Sequence, residues 1–238
     1  DVYKRQLKRS LDLNRKGLMQ RKLDDKYFVN SFDEESGIYS NKKNTLLLIV
    51  DEQPRLMKAL ENGEEAILNT LILIEAFNKY QMPIIATEQY PKGLGNTDDR
   101  ILEKINKDNI FEKTIFDAAI PEVLDFIEKN NIKKVVIAGA EAHICVYQTT
   151  RSLLNLGINV FLAKDALASF KESQKEEALK SLREMGAVRI ETETILFDLA
   201  RDSKDSNFKF ISGLVKNMRA RWGKRAEKLF LFCKNQLN

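Results

Sequence analysis

The chain has 238 residues, of which 43% are apolar, so it can bury a sizeable core in one large α/β domain or two small ones. Its two cysteines are far apart, which argues against a disulfide framework, and no apolar run is long enough to span a bilayer. The net charge of +4 is uneven, because an acidic body of net −7 over residues 45–207 lies between basic ends of net +4 and +7.

The basic ends are residues 1–44 and 208–238. We expect them to be mainly solvated, with contact to RNA, an anionic membrane surface or an acidic partner as the alternative. The scarcity of cysteine suits a reducing compartment, so we expect a cytoplasmic protein. A mitochondrial location is the alternative, because the chain begins with Asp1 rather than Met and a targeting peptide could precede it.

Apolar runs and helical periods alternate from residue 45 onward. Short apolar runs predict six strands, at residues 45–51, 83–89, 109–114, 133–140, 158–165 and, more weakly, 188–193. Helical spacing predicts helices at residues 64–80, 121–131, 143–157 and 173–186. Ser173 and Glu176 have the spacing of a capping box, while Gly157 and Gly186 follow two of the helices as end signals.

This alternation indicates an α/β fold with a six-stranded parallel sheet and helices on both of its faces. In such sheets ligands bind outside the carboxyl ends of the strands, at the point where the strand order reverses. The residues that follow each apolar run are therefore the first candidates for a site.

Three reactive side chains stand at these strand ends. Asp51 follows the first strand directly, Lys113 closes the third, and Cys145 follows the fourth at the start of a helix. A helix N-terminus and a nearby lysine favour the thiolate, and a carboxylate can take the thiol proton, so the three suit nucleophilic catalysis.

Each of these residues also has an ordinary structural interpretation. Asp51 is in position to cap a helix that begins at Pro54, Lys113 to lie in solvent, and Cys145 to be a small core residue. Spacing alone does not decide between these interpretations and a catalytic site. His143 stands only two residues from Cys145, and we do not expect it to act as the base.

Four segments in order, LLLIVDEQPRL, IIATEQYPKGLGNT, FEKTIFDAA and VVIAGAEAHICVYQTTRSLLNLGINVFLAKDALAS, resemble the isochorismatase-like cysteine hydrolase superfamily, in particular the isochorismatase domain-containing group. The resemblance covers residues 45–217. It leaves residues 1–44 as a basic N-terminal extension, partly disordered or helical, and residues 218–238 as a basic C-terminal helix or tail.

The resemblance implies a three-layer α/β/α, Rossmann-like fold and a triad of Asp51, Lys113 and Cys145. Asp51 would be the base toward the thiol, Lys113 would hold it electrostatically, and Cys145 would form a thioester with the substrate. A cis peptide bond is implied between Ala140 and Glu141, and the backbone N–H groups of Glu141 and Cys145 would form the oxyanion hole.

The chain departs from the metal-dependent nicotinamidases of this superfamily. Gln89 and Pro91 occupy the places of their Asp-x-His ligands, and the chain has a single histidine, so we expect neither a metal nor another cofactor. The loop that follows the second strand is expected to line the pocket, with Gln89 and Tyr90 as substrate contacts.

The sequence therefore predicts a metal-independent cysteine hydrolase for a small amide or related acyl substrate, in a homo-oligomer as in the relatives that it resembles. Two alternatives stay open. One is a binding or scaffold protein of the same fold that contacts RNA or a membrane through its basic ends. The other is an isochorismatase-type hydrolase that cleaves an enol ether without needing Cys145.

Overall fold

The computed structural model describes residues 37–38 and 42–236. Most of the N-terminal extension, expected to be partly disordered or helical, lies outside these residues. Within residues 37–38, the side chain of Ile38 is fully buried and its N–H donates to the carboxylate of Asp198. Nothing in the described part of the chain forms a helix with the length and apolar content needed to cross a membrane.

The sheet has six strands, all parallel, as the alternation predicted. They are β1 (Thr45–Val50), β2 (Ile84–Gln89), β3 (Ile110–Lys113), β4 (Lys134–Ala140), β5 (Asn159–Ala168) and β6 (Val188–Ile190). Their order across the sheet is β3-β2-β1-β4-β5-β6. The order reverses between β1 and β4, which places the expected crevice at the carboxyl ends of these two central strands.

Nine α-helices are present in the described chain. They are α1 (Pro54–Met57), α2 (Gly63–Lys79), α3 (Pro91–Leu94), α4 (Asp99–Leu102), α5 (Pro121–Lys129), α6 (Cys145–Asn155), α7 (Glu172–Glu184), α8 (Thr192–Ala200) and α9 (Phe208–Gln236). Single turns of 3-10 helix at Lys42–Asn44 and Lys107–Asn109 lead into β1 and β3.

Alternating side chains of the central strands enter two separate cores, one on each face of the sheet. Leu47 and Ile49 of β1 pack with α2, α8 and α9, whereas Leu46, Leu48 and Val50 pack with α5, α6 and α7. The sheet is therefore buried on both sides, which explains why the central strands read as continuous apolar runs. These layers confirm the predicted α/β/α architecture.

Several helix ends differ from the sequence predictions. The capping box expected from Ser173 and Glu176 is wrong in register, because α7 begins at Glu172 and the Gln174 side chain accepts from the Lys171 N–H. The last strand is shorter than expected and is followed by α8, which the sequence analysis missed. Gly157 and Gly186 do follow α6 and α7, with positive φ angles of 78° and 112°.

The final helix, α9, is continuous through residue 217, where the sequence analysis placed a boundary. Its first turns dock on the body through four buried side chains, those of Ile211, Leu214, Val215 and Met218. The side chains of Trp222 and of the apolar run at residues 229–232 lie outside the described part.

Candidate active site

The site lies at the carboxyl ends of β1, β3 and β4. Asp51 is the first residue after β1, Lys113 is the last residue of β3, and Cys145 is the first residue of α6, which follows β4. The structure therefore brings the three predicted side chains to one edge of the sheet. Asp51 has a positive φ of 54°, an uncommon conformation for a residue other than glycine and one often found at functional sites.

Asp51 and Lys113 form a fully buried ion pair. Lys113 Nζ lies 2.6 Å from Asp51 Oδ2, and neither side chain is exposed. The other carboxylate oxygen accepts from Thr87 Oγ1 at 2.8 Å. The capping interpretation of Asp51 is wrong, because Gln53 holds the N-cap position of α1. The solvated interpretation of Lys113 is also wrong, since its side chain is buried.

Lys113 has an acceptor for each of its three ammonium protons. Besides Asp51, Nζ donates to Gln89 Oε1 at 2.6 Å and to the Ile115 carbonyl at 3.3 Å. The Gln89 side chain in turn donates to the Thr114 carbonyl at 2.8 Å. The side-chain amide of Gln89 was expected to contact substrate. In the structure it binds Lys113 instead. A fully satisfied ammonium group acts here as a fixed positive charge.

Cys145 is buried, with 5% of its surface exposed, and its thiol interacts with the Asp51 carboxyl group. Burial, with a smaller contribution from the negative charge of Asp51, raises the pKa of the thiol to about 12. Lys113 and the Glu141 N–H act in the opposite direction but do not outweigh them. Desolvation therefore favours the protonated thiol and opposes the thiolate that the helix terminus and the lysine favour.

The same burial shifts the carboxylate. The pKa of Asp51 is raised by desolvation, and the charge and hydrogen bond of Lys113 oppose this shift. A carboxylate with raised proton affinity beside a protonated thiol suits proton transfer from sulphur to oxygen. The site is thus arranged for deprotonation during attack rather than for a standing thiolate.

Two strand ends approach closely beside the nucleophile. The Ala140–Glu141 peptide bond is cis, as the resemblance implied, and the Glu141 N–H donates to the sulphur of Cys145. Gly139 has φ 118°, and a Cβ there would lie 2.0 Å from the Val50 carbonyl oxygen, so only glycine fits. As the first residue of α6, Cys145 has a backbone N–H with no partner inside the helix.

Gln53, which the sequence does not mark as a site residue, braces the site. Its side-chain oxygen accepts from the Gln89 N–H at 2.8 Å, and its Nε2 donates to the Gln89 carbonyl at 3.1 Å. The side chain thus joins the loop after β1 to the end of β2. A glutamine three residues after a strand gives no signal of this role, which depends on the register of the two strands.

Two further polar side chains follow β4 and β1. His143 Nδ1 is 3.1 Å from Ser169 Oγ and 3.9 Å from Glu141 Oε2, so the histidine contacts the loop after β5 rather than Cys145. Glu52 is fully buried on the opposite face of the sheet, where Oε1 accepts from Thr70 at 2.5 Å and Oε2 has no partner. Burial raises the pKa of Glu52 to about 8.

Across residues 37–38 and 42–236, the structure groups no set of three or more His, Cys, Asp or Glu side chains in a way that would hold a metal ion. At the place where the nicotinamidase pattern has metal ligands, Gln89 binds Lys113 and Pro91 opens α3.

The sequence and the fold of this chain are similar to those of known proteins. Residues 45–194 match the isochorismatase domain. Isochorismatase family protein 1A of Dictyostelium discoideum is 36% identical over 180 residues, covering 74% of this chain and 87% of that protein. The solved structure of the MAR1 ribonuclease from Caenorhabditis elegans has a TM-score of 0.70 at 34% identity, covering 74% of this chain and 91% of that one.

The YcaC gene product of Escherichia coli, an octameric hydrolase of unknown specificity, has a TM-score of 0.69 at 20% identity and covers 77% of this chain and 96% of that one. At that identity the likeness concerns the fold alone. The domain match and the Dictyostelium relative show more than the fold. The chain belongs to the isochorismatase family.

Proposed function

We propose that the chain is a metal-independent cysteine hydrolase that cleaves a small amide or related acyl compound through a thioester on Cys145. One observation carries this proposal: the buried carboxylate of Asp51 is shared between the Lys113 ammonium and the Cys145 thiol. A cysteine nucleophile needs a base and a fixed positive charge nearby. This arrangement supplies both within the fold of a hydrolase family.

The first half of the reaction transfers the acyl group to sulphur. Asp51 takes the thiol proton while Cys145 Sγ attacks the carbonyl carbon. The developing oxyanion accepts hydrogen bonds from the Cys145 N–H and from the Glu141 N–H, which leaves the sulphur as the new C–S bond forms. Asp51 then gives its proton to the leaving amine as the C–N bond breaks. The product is a thioester on Cys145 and a free amine.

The second half returns the enzyme to its starting state. Water attacks the thioester carbon and gives a proton to Asp51. When the C–S bond breaks, Asp51 returns that proton to the departing sulphur, and the carboxylic acid leaves. Throughout, the ammonium group of Lys113 stabilises the negative charge that moves between oxygen and sulphur.

A panel of small amides assayed with wild type, Cys145→Ala and Cys233→Ser tests this proposal. We expect hydrolysis in wild type and in Cys233→Ser, and a loss of at least about 10³-fold in Cys145→Ala, since removal of the nucleophile leaves only binding and oxyanion stabilisation. Turnover that survives Cys145→Ala would contradict it. Survival with an enol-ether substrate specifically would support the isochorismatase-type reaction instead.

A ribonuclease activity is the second candidate, favoured by the C. elegans relative of that name at 34% identity. The acidic body, with net charge −7 over residues 45–207, is poorly suited to holding a polyanion, so RNA would have to bind through the basic ends. Incubation of single-stranded RNA with wild type and Cys145→Ala separates the candidates. RNA cleavage that is unaffected by Cys145→Ala would favour a ribonuclease with a different site.

We also propose that the protein assembles as a homo-oligomer, in line with its octameric structural neighbour. Light scattering coupled to size exclusion chromatography measures the mass in solution. A mass near the 27.4 kDa of one chain would contradict this.

A further inference from the structure

The large apolar side chains that are most exposed in the described part of the chain follow strands at the catalytic edge of the sheet. Tyr90, Ile115, Phe116 and Phe170, here called the apolar collar, have 55%, 56%, 53% and 58% of their surface exposed. Tyr90 follows β2, Ile115 and Phe116 follow β3, and Phe170 follows β5, so all four lie at the carboxyl ends of strands. This is the edge that carries Asp51, Lys113 and Cys145.

Three members of the apolar collar are hydrogen-bonded through their backbone to residues of the active site. The Tyr90 N–H donates to the Lys113 carbonyl at 2.8 Å, and Lys113 Nζ donates to the Ile115 carbonyl at 3.3 Å. The Phe170 N–H donates to the Glu141 carboxylate at 3.1 Å. The backbones that bear the exposed side chains are thus held at fixed positions relative to the triad.

The segment around Phe116 is also tied to the helix that carries the nucleophile. Ser152 donates to the Asp117 carboxylate at 2.5 Å, and the Ala118 N–H donates to Thr149 Oγ1 at 2.8 Å. Thr149 itself donates to the carbonyl of Cys145 at 2.7 Å. Ile115 and Phe116 are therefore presented by an anchored segment beside the site.

Exposed apolar side chains that cluster on a fixed part of a protein surface indicate a site that binds apolar groups. The apolar collar and the triad lie at the same edge of the sheet, and this shared position favours the substrate as the covering group. We propose, building on the proposed hydrolase function, that the apolar collar binds a hydrocarbon portion of the substrate. The substrate class is then carboxamides or related acyl compounds with an alkyl or aryl group, in preference to the smallest amides.

The test measures binding without turnover, on a Cys145→Ala background. Dissociation constants of acetamide, butyramide and hexanamide are measured by ligand-observed NMR titration. The same dissociation constants are measured for Phe116→Ser and Phe170→Ser in this background. The matched control is Phe197→Ser, whose ring is 40% exposed on α8. Circular dichroism checks that every variant is folded.

With the apolar collar intact, we expect hexanamide to bind about tenfold more tightly than acetamide, since its four extra methylenes are partly buried. Phe116→Ser or Phe170→Ser should weaken hexanamide binding at least about threefold and leave acetamide unchanged, whereas Phe197→Ser should change neither. Absence of hexanamide binding, equal affinity along the series, or collar variants that match the control would overturn the proposal.

A second copy of the chain is the competing occupant, and the same proteins test it. If the collar variants reduce the mass measured by light scattering while hexanamide binding is unchanged, a subunit interface covers the apolar collar and the substrate proposal is wrong. Hydrolysis by wild type is assayed separately. Chain-length-dependent binding without hydrolysis would overturn the hydrolase function alone, and hydrolysis without such dependence would overturn the collar alone.

Discussion

Lys113 and Asp51 come from opposite sides of β2 in the sheet, yet their charged atoms lie 2.6 Å apart with no exposed surface on either side chain. The remaining acceptors of Lys113, Gln89 and the Ile115 carbonyl, leave its ammonium group fully paired. A buried ion of one sign is costly without its partner, so the two side chains depend on each other for stability as well as for chemistry.

Replacing only one member of this pair should destabilise the fold. Lys113→Met leaves the Asp51 carboxylate buried without its countercharge and is expected to cost about 3–5 kcal/mol in free energy of unfolding, measured by denaturant titration. Lys129→Met, which removes an exposed pair with Asp125, should cost less than about 1 kcal/mol. The double variant Asp51→Asn/Lys113→Met should regain much of the lost stability but no activity. A double variant as unstable as Lys113→Met would contradict the pairing.

Asp51→Asn should separate the reactivity of the thiol from catalysis. The charge of Asp51 helps to raise the pKa of Cys145, so its removal beside Lys113 should lower that pKa. Alkylation of Cys145 by iodoacetamide at neutral pH, measured in a Cys233→Ser background, should then be faster, by about tenfold for each unit that the pKa falls.

Amide hydrolysis by Asp51→Asn should nevertheless be lost, because the leaving amine and the attacking water have no partner for proton transfer. Retained hydrolysis would show that Asp51 does not act as the base. Slower alkylation would contradict the expectation that the charge of Asp51 holds the pKa of Cys145 up.

Gln89→Leu should lower kcat by about tenfold and leave KM nearly unchanged, because the lost acceptor lets Lys113 move relative to Asp51. Steady-state kinetics on an amide that wild type hydrolyses provides the measurement. A raised KM with unchanged kcat would instead support the substrate contact that the sequence analysis expected for Gln89. Gln89→Asn, which keeps an amide on a shorter chain, should recover part of the loss.

Glu52→Gln should change how stability depends on pH. The pKa of Glu52 is about 8 in the folded protein, against an ordinary value of 4.5, so between these values the folded state binds more protons than the unfolded state. Stability contributed by Glu52 is therefore lost as pH rises from about 4.5 to about 8. The variant should lack this loss and exceed wild type at pH 9 by an amount on the order of a few kcal/mol. If the free energy of unfolding varied with pH in the same way for both proteins, the raised pKa of Glu52 would be refuted.

Much of the fold could be predicted because the central strands are buried on both faces and so appear as unbroken apolar runs. The ends of these runs identify Asp51, Lys113 and Cys145 as candidate site residues from the sequence alone. By contrast, α8 was not predicted. Its residues Thr192, Thr194 and Ile195 are β-branched, which favours a strand that continues from Val188.

The protonation state of Cys145 could not be predicted from position along the chain. A helix start and a lysine both favour the thiolate, but the outcome depends on how completely the sulphur is removed from water and on which atoms face it. The orientation of Gln89 toward Lys113 likewise depends on the parallel pairing of β2 with β3, in which Gln89 is directly opposite Lys113.

The formation of the thioester on Cys145 is the most direct test of the proposed mechanism. Wild type is mixed with an activated acyl ester, quenched in acid within one turnover, and digested for mass spectrometry. We predict that the peptide containing Cys145 carries one acyl group, and that the adduct disappears as the acid product forms. Product formation without any acyl group on Cys145, or an unchanged rate in Cys145→Ala, would contradict the assignment of Cys145 as the nucleophile.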